Sequence, residues 1–135
     1  MTLLAPPKTI LVVDDCESIC ELIEILLVRA GYHVRTATRG SEALRLAGSG
    51  GEIDLLLVNL NLPAMPGDEL AARLVQSHPE TAVVFLTGSE HPTVDSSPHE
   101  VLLKPFTIAQ LRDTVRRALL PRPPLAEAGR LPAAA

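Results

Sequence analysis

Aromatic residues are nearly missing from this chain, which has no Trp, one Tyr and two Phe in 135 residues. Its core must therefore be built from Leu, Val, Ile and Ala. With 47% of residues apolar, a single domain of this length buries a substantial core. Long hydrophobic runs are missing as well, and no stretch reaches the about eighteen residues that a membrane span requires. Lysine occurs only at Lys8 and Lys104, and the formal charge is −4 with acids and bases mixed along the chain. That balance offers no basic surface and argues against direct nucleic-acid binding. The first residues, Met1 to Lys8, lack the charged and apolar regions of a signal peptide. Together with only two cysteines, this leads to the expectation of a reducing, cytoplasmic setting. Cys16 and Cys20 stand four residues apart on the first expected helix and read as a buried structural pair. A metal would need further ligands that the sequence does not bring near, and a disulfide within one helix at that spacing is geometrically poor.

What is present is an alternation of short apolar runs with helical stripes. Ile10 to Val13 has the character of a buried parallel strand. Ile19, Leu22, Ile23, Leu26 and Leu27 then mark one face of a helix stopped by Gly31. His33 to Ala37 is a second strand, and Gly40 to Ala47 a short helix with Ala43, Leu44 and Ala47 inward. Leu55 to Val58 is the most apolar run and the expected central strand. Leu70, Leu74 and Val75 mark a third helix, Ala82 to Leu86 a fourth strand and Val101 to Leu103 a fifth. Thr107 is placed to cap a last helix with Ile108, Leu111, Val115 and Leu119 inward, and Arg116 and Arg117 suit its C-terminal dipole. Such alternation predicts a doubly wound α/β sheet. Ser89 to Pro98 breaks the rhythm: two prolines and no apolar stripe predict a loop or a single turn. The domain is expected over residues 9–120, with a lead at 1–8 and a Pro/Ala-rich linker or disordered tail at 121–135.

Four strand ends carry polar residues: Asp14-Asp15, Asn59, Thr87 and Lys104-Pro105. In doubly wound sheets, ligands gather beyond the carboxyl ends of the strands where the winding reverses. The acidic pair followed by a helix also has a plainer reading, as an N-cap and first-turn acid. Thr87 by itself reads as an ordinary strand residue, and Lys104 as a solvated residue before a turn.

These strand ends, with Leu62-Pro63, Met65 and Gly67 following Asn59 at fixed spacing, resemble the receiver domain of two-component response regulators from about Lys8 to Leu120. The resemblance implies a flavodoxin-like five-stranded parallel sheet in the order 2-1-3-4-5, here with a shortened or missing fourth helix. It also implies that Asp14 and Asp15 hold Mg²⁺ with the backbone carbonyl of Asn61, that Thr87 and Lys104 contact phosphate, and that the peptide before Pro105 is cis. In the family the position of Asn59 is an Asp that accepts a phosphoryl group from a histidine kinase. An amide oxygen is a far poorer nucleophile than a carboxylate and forms no stable acyl phosphate. The exchange also removes one negative charge from the cluster, which weakens its pull on Mg²⁺. Two further departures lie on the switching route: the aromatic residue expected three positions before the lysine is Val101, and Cys16 follows the acidic pair.

The leading expectation is a non-enzymatic, receiver-like signalling module that acts through protein–protein contact without phosphate control. It requires no cofactor, and Mg²⁺ binding is expected to be weak. Its partner would be a sensor histidine kinase, another receiver or an output domain, and a homodimer is compatible with the pattern. The alternative is an ordinary phosphoacceptor receiver whose Asp was replaced by Asn59 as an engineered block. A flavin binder would need a hydroxyl- and Gly-rich phosphate loop where Asp14-Asp15-Cys16-Glu17 stands. A phosphatase with an aspartyl nucleophile would need a second Asp where Cys16 stands. Neither pattern is met.

Overall fold

A computed structural model of the protein describes residues 6–88 and 100–121. Five strands, β1 (Thr9–Val13), β2 (His33–Ala37), β3 (Leu55–Asn59), β4 (Ala82–Thr87) and β5 (Glu100–Leu103), form one parallel sheet in the order β2-β1-β3-β4-β5. The described helices are α1 (Glu17–Arg29), α2 (Gly40–Gly48), α3 (Gly67–Ser77) and α4 (Ile108–Ala118). None of them is long and apolar enough to cross a membrane. The segment in which a shortened fourth receiver helix was expected, Ser89 to Pro98, lies outside the described residues, as does nearly all of the expected tail.

The strands alternate side chains across the sheet and so divide the core in two. Leu11, Val13, Leu56, Val58, Val83 and Phe85 face α2 and α3, where Ala43, Ala47, Leu70 and Leu74 close the layer. Ile10, Val12, Leu55, Leu57, Val84 and Leu86 face α1 and α4, against Cys20, Ile23, Leu27, Leu111 and Val115. Every residue of β3 is buried, as a central strand covered on both faces requires.

Local chemistry sets the helix ends. Gly31 takes φ +102° after α1, and the Tyr32 and Gly31 amides donate to the carbonyls of Leu27 and Val28. That is a Schellman ending, which needs a residue at ease in the left-handed region. At the start of α4, the Thr107 hydroxyl accepts from the Gln110 amide, and the Gln110 side chain accepts from the Thr107 amide. Both halves of a capping box are therefore present.

Three inward assignments need correction. Leu22 and Ile108 are about half exposed, at 49% and 52%. The buried arc of α1 runs through Cys20, Ile23 and Leu27, and Leu22 lies about 100° off that arc. Ile108 opens the first turn of α4, ahead of the arc through Leu111, Thr114, Val115 and Ala118. Cys16 is exposed while Cys20 is buried, so the two are not a buried pair. Cys16 is the extended N-cap of α1 (φ −92°, ψ 109°), where helical spacing no longer applies.

Candidate functional site

The first polar residue after β1 is Asp14, and parallel pairing continues just far enough to fix it: its amide donates to the Ala37 carbonyl at 3.1 Å. The side chain is 1% exposed. One carboxylate oxygen accepts from the Cys16 amide at 2.9 Å, and the other from Lys104 Nζ at 2.8 Å. Lys104 comes from the far side of the sheet. Its amide donates to the Thr87 carbonyl at 2.7 Å, and the peptide joining it to Pro105 is cis. A buried carboxylate is costly unless paired and hydrogen-bonded, and Asp14 is both.

Asn59 ends β3 and is nearly buried, at 7% exposed. Its side chain makes three contacts. Nδ2 donates to Asp15 Oδ1 at 3.1 Å and lies 3.4 Å from the Asn61 carbonyl, while Oδ1 accepts from the Asn61 amide at 3.3 Å. These partners settle the orientation of the amide, since a flip would set Oδ1 against two acceptor oxygens. Asp15 is exposed and faces Asn59 from the loop before α1.

The loop after β3 is held by Gly67. Its amide donates to the Leu60 carbonyl at 2.9 Å, and a Cβ on it would lie 2.2 Å from the Asn59 carbonyl oxygen. Only glycine allows α3 to start this close to the strand end. Ala64, at the tip of the same loop, sits at φ +69°. The spacing of Gly67 was legible in sequence, but nothing in the sequence marked the backbone of Ala64.

Thr87 is fully buried at the end of β4, and its hydroxyl donates to the Gly88 carbonyl at 3.2 Å. Val101 lies opposite Phe85 in the β4–β5 register and packs on the α2/α3 side of the core. Cys20 was not foreseen near the site, yet its thiol donates to the Asp14 carbonyl at 3.2 Å and reaches the Ala37 carbonyl at 3.6 Å. It braces the strand end that presents the acidic pair. Burial pushes this thiol up from 9.0 to about 11, partly offset by its hydrogen bond to Asp14.

The fold thus gathers two hydrogen-bonded sets at one edge of the sheet, Asp14 with Lys104 and Asn59 with Asp15 and Asn61, with Thr87 at the neighbouring strand end. Two carboxylates and a carbonyl are the donor types that Mg²⁺ takes. As arranged they do not fit it, because both oxygens of Asp14, one of Asp15 and the Asn61 carbonyl already face protein donors. Among the described residues no group of three or more His, Cys, Asp or Glu side chains is disposed to hold a metal.

Comparison with known proteins agrees with this geometry. Residues 10–116 match the response regulator receiver domain family. The transcriptional regulatory protein TcrA of Mycobacterium tuberculosis is 35% identical over 131 residues, which cover 90% of this chain and 51% of TcrA. The alkaline phosphatase synthesis transcriptional regulatory protein PhoP of Bacillus subtilis is 33% identical over 117 residues, covering 83% of this chain and 48% of PhoP. The chain therefore spans about half the length of these relatives. Among solved structures, the chemotaxis protein CheY4 of Vibrio cholerae superposes with a TM-score of 0.78 at 30% identity, covering 84% of this chain and 99% of CheY4. With its sheet order, its strand-end residues and these matches in accord, the chain belongs to the response regulator receiver domain family.

Proposed function

We infer that this domain is a receiver-like signalling module that does not accept phosphate at Asn59 and acts through phosphorylation-independent protein contact. The observation that carries this reading is the Asn59 side chain, an amide at the end of the central strand whose Nδ2 is spent on Asp15. Phosphoryl transfer to a side chain needs an anionic oxygen poised for in-line attack. Here the oxygen is neutral and accepts from the Asn61 amide.

Two other features support the reading. Lys104 is committed to Asp14, and the hydroxyl of Thr87 is turned to its own chain. At the position of the switching aromatic, Val101 carries no ring to move between buried and exposed states. The partner class is a sensor kinase, another receiver or an output domain. The contact surface is assigned to α1, which exposes Leu22, Ile25 and Val28, or to β5 and α4, which expose Leu103 and Ile108.

A second reading keeps the same site but treats Asn59 as a replacement for a native Asp. It is favoured by the retention of Asp14, Asp15, Thr87 and Lys104 at their strand ends. The codon for position 59 in the source gene separates the two.

The direct test is intact mass after incubation with Mg²⁺ and a small acyl-phosphate donor, on the chain and on Asn59→Asp. A phosphoryl adduct on the variant alone shows that Asn59 is the block. No adduct on either shows that the site has decayed further. An adduct on the chain as it stands overturns the reading.

A further inference from the structure

The distinctive contact of this site is the bridge that Asn59 makes. The oxygens it touches, Asp15 Oδ1 and the Asn61 carbonyl, come from two loops, one before α1 and one after β3. Both carry negative charge or partial charge, and their approach requires something positive between them. In this chain the positive element is the Nδ2 group, and Asn59 Oδ1 closes the arrangement by accepting from the Asn61 amide. The remaining acid of the pair, Asp14, is neutralised by Lys104 at 2.8 Å.

We propose that the Asn59 amide is an internal substitute for a divalent cation: it ties Asp15 to the Asn61 carbonyl and excludes Mg²⁺ from between them. The exclusion has two physical parts. A cation joining these oxygens would stand where the amide hydrogens stand, and it would face the positive end of the N–H dipoles. Mg²⁺ also gives up its water reluctantly, and the oxygens it would gain are already hydrogen-bonded. The cluster is therefore held in one metal-free arrangement, which suits a module that does not switch. This deepens the function inferred above and rests on it for the meaning of the site. Metal binding and phosphoryl transfer are nevertheless read by separate measurements, so either can fail without the other.

Exclusion by the amide and the mere loss of one carboxylate would both weaken Mg²⁺ binding. Asn59→Ala separates them, since it removes the amide without changing the charge. MgCl₂ titrations at constant ionic strength would follow the backbone amide resonances of Asp15 and Asn61, and far-UV circular dichroism would confirm folding. The chain should show no saturable shift at millimolar Mg²⁺. Asn59→Ala should bind at least about tenfold more tightly than the chain, and Asn59→Asp more tightly still. Saturable Mg²⁺ binding by the chain itself overturns the proposal. So does an Asn59→Ala protein that is as unresponsive as the chain, because the amide is then not what keeps the cation out. If Asn59→Asp does not fold without metal, the comparison of the chain with Asn59→Ala still decides.

Discussion

Removing Lys104 isolates the most buried charge in the site, and the size of the effect follows from the geometry. Asp14 is 1% exposed, and its lysine partner is 29% exposed at 2.8 Å. With an effective dielectric of about 20, the gross attraction at that distance is about 6 kcal/mol. Most of that offsets the desolvation of the carboxylate, and the partial exposure of Lys104 screens some of the rest. In Lys104→Met the carboxylate stays buried and keeps only the hydrogen bond from the Cys16 amide. The expected loss is about 2–3 kcal/mol, below the 3–5 kcal/mol typical of a fully buried pair. For a domain of this size, that lowers the thermal midpoint by roughly 8–12 °C. Asp14→Asn in the Lys104→Met background should recover part of the loss, because it removes the buried charge and still accepts from Cys16. The assay is a double-mutant cycle by urea denaturation, followed by far-UV circular dichroism because the chain has no Trp. A coupling energy above about 1 kcal/mol is expected, and one under about 0.5 kcal/mol would refute the argument that Lys104 neutralises the site.

Gly67→Ala should cost about 3 kcal/mol, since its Cβ would meet the Asn59 carbonyl oxygen at 2.2 Å. Gly48→Ala, with nothing within 4 Å of the added carbon, should be neutral or stabilising; equal losses at the two sites would contradict the packing argument. Ala64→Gly relieves a left-handed backbone at φ +69° and should raise stability by up to about 1 kcal/mol, measured by the same denaturation. Iodoacetamide at neutral pH should modify one cysteine, Cys16, in the folded protein and both after unfolding, as peptide mass mapping would show. Because the folded Cys20 thiol is raised from 9.0 to about 11, the unfolded chain loses its proton first. The stabilisation from Cys20 is therefore fully present below pH 9 and is lost as pH rises toward 11. Unchanged stability over that range would remove Cys20 from the account of the strand end.

The class of fold was legible in the residues alone. Apolar runs at Ile10, Leu55 and Val83 have no polar alternation, so they must be strands covered on both faces, and helical stripes between them supply the cover. The residue type at position 59 was equally plain, an amide and therefore a far poorer nucleophile than a carboxylate. Helix punctuation was legible at Gly31 and at Thr107, because capping depends on a few neighbouring residues, but the Gln110 half of the capping box was not read from the sequence. Burial within a helix was less so. Leu22 and Ile108 match the helical spacing, but which arc turns inward is set by the sheet beneath, through contacts distant in sequence.

Tertiary structure alone decided how the site is neutralised. Lys104 and Asp14 are 90 residues apart, and Asn59 and Asp15 are 44 apart. Their contacts exist only because parallel pairing brings the carboxyl ends of β1, β3 and β5 to the same edge of the sheet. No local pattern states that Lys104 reaches Asp14, or that an amide hydrogen stands between Asp15 and the Asn61 carbonyl. Those are consequences of strand register, which fixes side chains to within a bond length where sequence spacing fixes only their order.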